Sequence, residues 1–125
     1  MDKRIKIRDL EFGKFAEEKA AEYYISQGYA IRERNWRLKR IEIDLIAQRG
    51  NVMVFVEVKA RSGRDTDALD AVTPDKMRRM TRGADIYLRM QPAAFEYRYD
   101  IFTLTGDFGE YRTEVFEDAF LSPLM

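Results

Sequence analysis

The stretch "IEIDLIAQRGNVMVFVEVKAR", residues 41–61, decides the fold. Two runs of β-branched and apolar residues flank Gly50-Asn51, a dipeptide suited to a tight hairpin turn. With that turn, Leu45 faces Val56, Ala47 faces Val54, Ile43 faces Val58 and Ile41 faces Ala60, which makes one sheet face wholly apolar. On the other face Ile46 meets Phe55, and further from the turn Asp44 meets Glu57 and Glu42 meets Lys59. A four-residue loop, Arg49 to Val52, preserves this pairing, whereas an odd loop without a bulge would put the apolar sets on opposite faces.

Two carboxylates facing each other on a sheet repel, more strongly as the site leaves water. Two readings relieve the repulsion. In one, Lys59 neutralises both on an ordinary solvated face, with Glu42 as a structural or supporting charge. In the other, Asp44 and Glu57 share a divalent cation, the carbonyl of Val58 supplies a third oxygen, and Lys59 stands beside them. A carboxylate pair with an adjacent lysine suits metal-dependent cleavage of a phosphodiester.

Composition narrows the chemistry. The 125 residues contain no cysteine and no histidine, which removes disulfides, thiolate nucleophiles, the usual base near neutral pH and the usual ligands of zinc or copper. Hard oxygen ligands and Mg²⁺ or Mn²⁺ remain as the expected tools. The length and the 46% hydrophobic content fit one globular domain, residues 1–125. Neither a membrane-spanning run nor a signal peptide is legible, so the expectation is a cytoplasmic protein without a membrane partner. The 22 basic and 22 acidic residues cancel overall, but the basic ones concentrate between Arg32 and Arg89 and the C-terminal stretch is acidic. A local basic surface attracts phosphate even on a neutral molecule.

Outward from the hairpin, Phe12, Phe15, Ala16, Ala20, Tyr23 and Tyr24 recur at helical spacing and predict a helix over 9–27, with Asp9 as N-cap and Gly28 as its stop. "YAIRERNW", residues 29–36, predicts a first strand, and "RSGRDTD", residues 61–67, a loop. Thr73 and Pro74 open a second helix that runs to about Arg89. Its inner face is read as Met77, Met80, Ala84, Tyr87 and Leu88, and its outer face as Lys76, Arg78, Arg79 and Arg82. "FEYRYDIFTLT" and "EYRTEVF" predict a final hairpin, giving the order α-β-β-β-α-β-β.

Asp44 followed by Glu57-Val58-Lys59 resembles the PD-(D/E)xK signature of the restriction-endonuclease-like superfamily, which includes archaeal Holliday-junction resolvases. The wider series "EEKAAEYYISQGYAIRERNWR", "EIDLIA", "VFVEVKAR", "AVTPDKM" and "RYDIF" is similar to the bacterial YraN-like family of predicted endonucleases. The resemblance implies an α/β fold, a restriction-endonuclease-like core with a mixed twisted sheet flanked by helices. It implies Asp44 and Glu57 as metal ligands, Lys59 as the catalytic lysine, Glu17 of the first helix approaching the same site, and Lys76 near phosphate or the centre. Ala16 and Ile41 stand where the family usually has glycine, which adds bulk expected to narrow access.

Arg61, Arg64, Lys76, Arg78, Arg79 and Arg82 are the candidate phosphate contacts. Trp36 and the tyrosines are expected mainly in packing, and Arg98 with Asp100 as a structural ion pair. The expected activity is Mg²⁺- or Mn²⁺-dependent cleavage of DNA directed by structure, branched or single-stranded, rather than by sequence. A homodimer is compatible with it. The rival reading is a nucleic-acid-binding or partner-binding module that keeps the nuclease fold without useful turnover.

Overall fold

The computed structural model describes residues 3–63 and 72–119; Arg64 and most of the expected loop lie outside the described residues. The elements are α1 (Lys3–Ser26), β1 (Ala30–Leu38), β2 (Ile41–Arg49), β3 (Val52–Ser62), α2 (Pro74–Arg89), β4 (Glu96–Gly106) and β5 (Tyr111–Phe116). They realise the expected α-β-β-β-α-β-β order. The strands form one mixed sheet in the order β1-β2-β3-β4-β5, antiparallel except for β3 and β4, which run parallel from Val52–Glu96 to Ser62–Gly106. Parallel neighbours need a crossover, and α2 supplies it.

Helix α1 begins at Lys3, so Asp9 lies inside the helix and is not its N-cap. The run before it contains no breaker, and its Lys, Arg and Ile residues tolerate helix well. The end is where the glycine places it: Gly28 has φ +87°, a left-handed conformation that a side chain would oppose. At α2, Thr73 caps the first turn by accepting a bond from the Lys76 N–H at 3.3 Å, and Pro74 follows it.

The hairpin turn and the register next to it are as read from the sequence, from Arg49–Val52 to Leu45–Val56. Leu45, Ala47, Val54, Val56 and Val58 pack under α1 with Ala16, Ala20 and Tyr24. Ile46, Met53 and Phe55 pack under α2 with Met80, Ala84 and Tyr87. Ile43, however, also lies in the α2 layer, and Ile41 faces Gly83 of α2. Both were expected on the face of Leu45. The side-chain alternation reverses between the Arg34–Leu45 and Trp36–Ile43 pairs, where Asn35 stands opposite Asp44 with a left-handed φ of +51°. An asparagine tolerates that conformation better than most residues.

Ala16 is fully buried in the α1 layer, and the Ile41 side chain fills the space over Gly83. The bulk of both is thus used in packing. A Cβ on Gly83 would lie 2.5 Å from Ile41 Cγ2 and 3.4 Å from Ile43 Cδ1. Gly83→Ala is therefore expected to destabilise the protein by ~1–3 kcal/mol through overpacking, although alanine is the better helix former. The midpoint of urea unfolding reads this, and Ile41→Ala in the same chain should recover part of the loss.

Trp36 packs edge-on against Tyr87, with ring centres 5.4 Å apart. Arg98 and Asp100 form the expected ion pair, Nε to Oδ1 at 2.9 Å, and Asp100 is fully buried. No helix among the described residues is long and apolar enough to cross a membrane.

Candidate functional site

Past Leu45–Val56 the β2–β3 ladder gives way, and a side chain takes over a backbone role: the Val58 N–H donates to Asp44 Oδ2 at 2.8 Å. The sequence-derived opposition of Asp44 and Glu57 thus becomes an insertion of Asp44 into the gap between two diverging strands. Burial first, and then the nearby Glu57 carboxylate, push the Asp44 carboxyl up to about 7; Glu17 adds to this, while the Val58 N–H and Lys76 oppose it.

Glu57 is 2% exposed and points toward α2, on the face of Met53 and Phe55. Its Oε1 lies 2.6 Å from Lys76 Nζ and 3.9 Å from Lys59 Nζ. The Lys76 distance is short enough for a hydrogen bond, yet Oε1 is buried without a hydrogen-bond partner of acceptable angle. At this separation the two groups form a close, charge-assisted ion pair. Burial lowers the Lys59 pKa, and the adjacent Lys76 lowers it further. Burial also disfavours the charged form of Lys76, but its contacts with Glu57 and Lys59 and the field of Asp44 outweigh that, and its pKa is raised.

Lys76 is accordingly half-buried at the centre and does not belong to the outer face of α2. The signal was present in the sequence, because Lys76, Met80 and Ala84 recur every four residues and share one helical face. Glu42 is exposed and pairs with Arg37 of β1 at 3.1 Å; the expected Glu42–Lys59 pair does not form because the ladder stops short of it. Glu17 does reach Asp44's surroundings. With Lys14, Glu18, Arg34 and Asn35 it lines a cavity of about 220 Å³ whose wall includes Asp44. Lys14, Arg34 and Asn35 were not anticipated from the sequence; an asparagine set within a strand pattern was the only hint.

Arg61, Arg79 and Arg82 are exposed. Arg78 is exposed too, but pairs with Asp75. Asp75, Arg78, Arg79 and Arg82 border a shallow groove of about 390 Å³ on the outer side of α2.

A model of the uncharacterised protein family UPF0102 matches residues 16–104, a span that holds Glu17, Asp44, Glu57, Lys59 and Lys76. The chain belongs to this family. Among similar proteins, a UPF0102 protein of Phocaeicola vulgatus is 42% identical over 115 residues, covering 91% of this chain and 95% of its own. One from Bacteroides fragilis is 43% identical over 115 residues, covering 90% and 93%, and one from Symbiobacterium thermophilum is 42% identical over 111 residues, covering 86% and 94%.

Among its described residues this UPF0102 chain brings few acidic ligands together in any one place. Among the described residues no group of three or more His, Cys, Asp or Glu side chains is arranged to hold a metal ion. The neighbouring Asp44 and Glu57 carboxylates are nevertheless hard oxygen donors of the type that Mg²⁺ or Mn²⁺ takes. In an extended strand a residue's N–H and C=O point the same way, so the Val58 carbonyl is directed toward the Asp44 side as well. Glu57 Oε1, buried and already facing the Lys76 ammonium at 2.6 Å, is the atom that a cation would have to share or take over. The donor set fits such an ion, with Lys76 beside Oε1 as the competing positive charge.

Proposed function

We propose that the protein is a nucleic-acid-binding module on a nuclease-like fold, whose carboxylate centre is neutralised by its own lysine. The observation that carries this reading is the Lys76–Glu57 contact of 2.6 Å, made by the helix that also presents Arg79 and Arg82 outward. Exposed guanidinium groups in that position can hold phosphates irrespective of base sequence. The expected ligand is DNA, branched or single-stranded, bound by the protein alone or as a homodimer in the cytoplasm.

Fluorescence anisotropy with labelled single-stranded, duplex and branched DNA tests this. Binding should weaken as salt rises, and Arg79→Ala with Arg82→Ala should reduce the log–log salt slope by ~0.7–0.9 for each phosphate that is no longer neutralised. Absence of salt-dependent binding to every form would sink the reading.

A second reading, metal-dependent endonuclease, is favoured by the donor pair of Asp44 and Glu57 with Lys59 alongside, and by the resemblance to the PD-(D/E)xK superfamily and its Holliday-junction resolvases. Asp44, Glu57 and the Val58 carbonyl would hold Mg²⁺ or Mn²⁺. When bound, such an ion polarises the scissile phosphate and acidifies a water. Lys59, whose pKa is lowered, can take a proton from the attacking water as an amine or oppose phosphate charge as an ammonium. Glu17, across the neighbouring cavity, would orient water or substrate. Cleavage of flapped, branched and single-stranded DNA should then require Mg²⁺ or Mn²⁺ and fall ~10²–10⁴-fold in Lys59→Ala. Salt-dependent binding with no cleavage under either ion would leave the binding reading standing alone.

A further inference from the structure

We propose that Lys76 is a built-in exchangeable cation: its ammonium occupies the divalent-ion position on Glu57, and uptake of an ion releases it toward phosphate. The proposal rests on the reading that Asp44 and Glu57 can accept a divalent cation.

A buried carboxylate without a counter-charge is strongly unfavourable. Glu57 meets this requirement through two lysines, and they are unequally placed. Lys76 Nζ is 2.6 Å from Oε1, whereas Lys59 Nζ is 3.9 Å away. A divalent ion bound by Glu57 Oε1 would occupy nearly the same space as the Lys76 ammonium, and the two positive charges would repel. Lys59 need not move, because it is already at the longer distance.

The two lysines also differ in their freedom to leave. Lys59 extends from β3 at its pairing with Thr103 of β4, and its side chain is 23% exposed. Lys76 belongs to the first turn of α2, and its side chain is 34% exposed. The helix is fixed further along by the close contact of Gly83 with Ile41, so release requires rotation of the Lys76 side chain only. Arg79 is exposed on the next turn, and an outward Lys76 would join it as a phosphate contact. Cation uptake would thus convert a neutralised centre into one that holds an ion and adds a positive charge to the nucleic-acid side.

Isothermal titration of Mn²⁺ into wild type, Lys76→Met and Lys76→Gln tests the exchange, with circular dichroism confirming that each is folded. Both variants should bind Mn²⁺ at least ~10-fold more tightly than wild type, since a competitor has been removed. Equal or weaker binding in the variants overturns the exchange while leaving the cation reading intact. No Mn²⁺ uptake by any of the three overturns both.

A second measurement needs no variant. Acetylation of Lys76 by a small reagent, followed by mass spectrometry, should speed up severalfold in wild type when Mg²⁺ is added, relative to the exposed Lys39. Unchanged or slower acetylation counts against release.

Discussion

At pH 8 and without divalent ions, Asp44→Asn is expected to unfold at a higher temperature than wild type, and at pH 4 the two should be alike. The Asp44 carboxyl sits at about 7 in the folded protein against an ordinary 3.8. A carboxyl raised in this way favours the folded state while protonated. Its contribution is fully present below the unfolded pKa and is lost as pH rises from about 4 through about 7. At ~1.4 kcal/mol per pKa unit between 3.8 and about 7, the ceiling on this loss is ~4 kcal/mol. Partial solvent access and adjustment of the neighbouring lysines bring the expected gain to ~1–2 kcal/mol, or on the order of 5 °C in Tm.

Asparagine keeps an oxygen that can accept from the Val58 N–H, so the backbone bond survives the change. Mg²⁺ or Mn²⁺ should raise the Tm of wild type more than that of the variant, because only wild type keeps both anionic ligands. A variant less stable than wild type at both pH values would show that Asp44 serves the fold, not a site.

The largest loss of stability is expected from Asp100→Ala, ~3–5 kcal/mol, read as a drop of on the order of 10 °C or more in Tm. Asp100 is fully buried and every oxygen is used. Oδ1 accepts from Arg98 Nε at 2.9 Å and from the Asp118 N–H at 3.0 Å. Oδ2 accepts from Tyr24 Oη at 2.6 Å and from a second Arg98 nitrogen at 3.1 Å. The carboxylate therefore ties α1, β4 and the segment after β5 together, and burial followed by Asp100 raises the Tyr24 pKa.

Truncation leaves a guanidinium and a phenol without their shared acceptor. Asp100→Leu combined with Arg98→Leu should be less damaging than Asp100→Ala alone, since it removes the stranded charge as well. The reverse order of stabilities would count against this account. Neither variant touches Asp44, Glu57 or Lys59, so Mn²⁺ uptake measured well below the melting transition should persist.

Local chemistry was readable from residues close in the chain. Gly50-Asn51 fixed the turn and the neighbouring register, Thr73-Pro74 fixed the start of α2, and Gly28 fixed the end of α1. Each acts within a few residues, through turn geometry or capping. The carboxylates and lysine of the candidate centre were legible as charged residues set into two strands, but their meeting was not, because the ladder ends at Leu45–Val56 and the alternation fails beyond it.

The sequence by itself determined the order of elements, the hairpin and the identity of the candidate ligands. Only the tertiary structure decided how they meet. The alternation reverses where Asn35 faces Asp44, sending Ile41 and Ile43 toward α2, and a period-two pattern contains no information about a reversal made jointly by two strands. Likewise Glu57 pairs with Lys76 in preference to Lys59, and Glu42 with Arg37, because these distances depend on how α2 docks on the sheet and on where a ladder opens. Such partners lie far apart in the chain, and packing between elements brings them together.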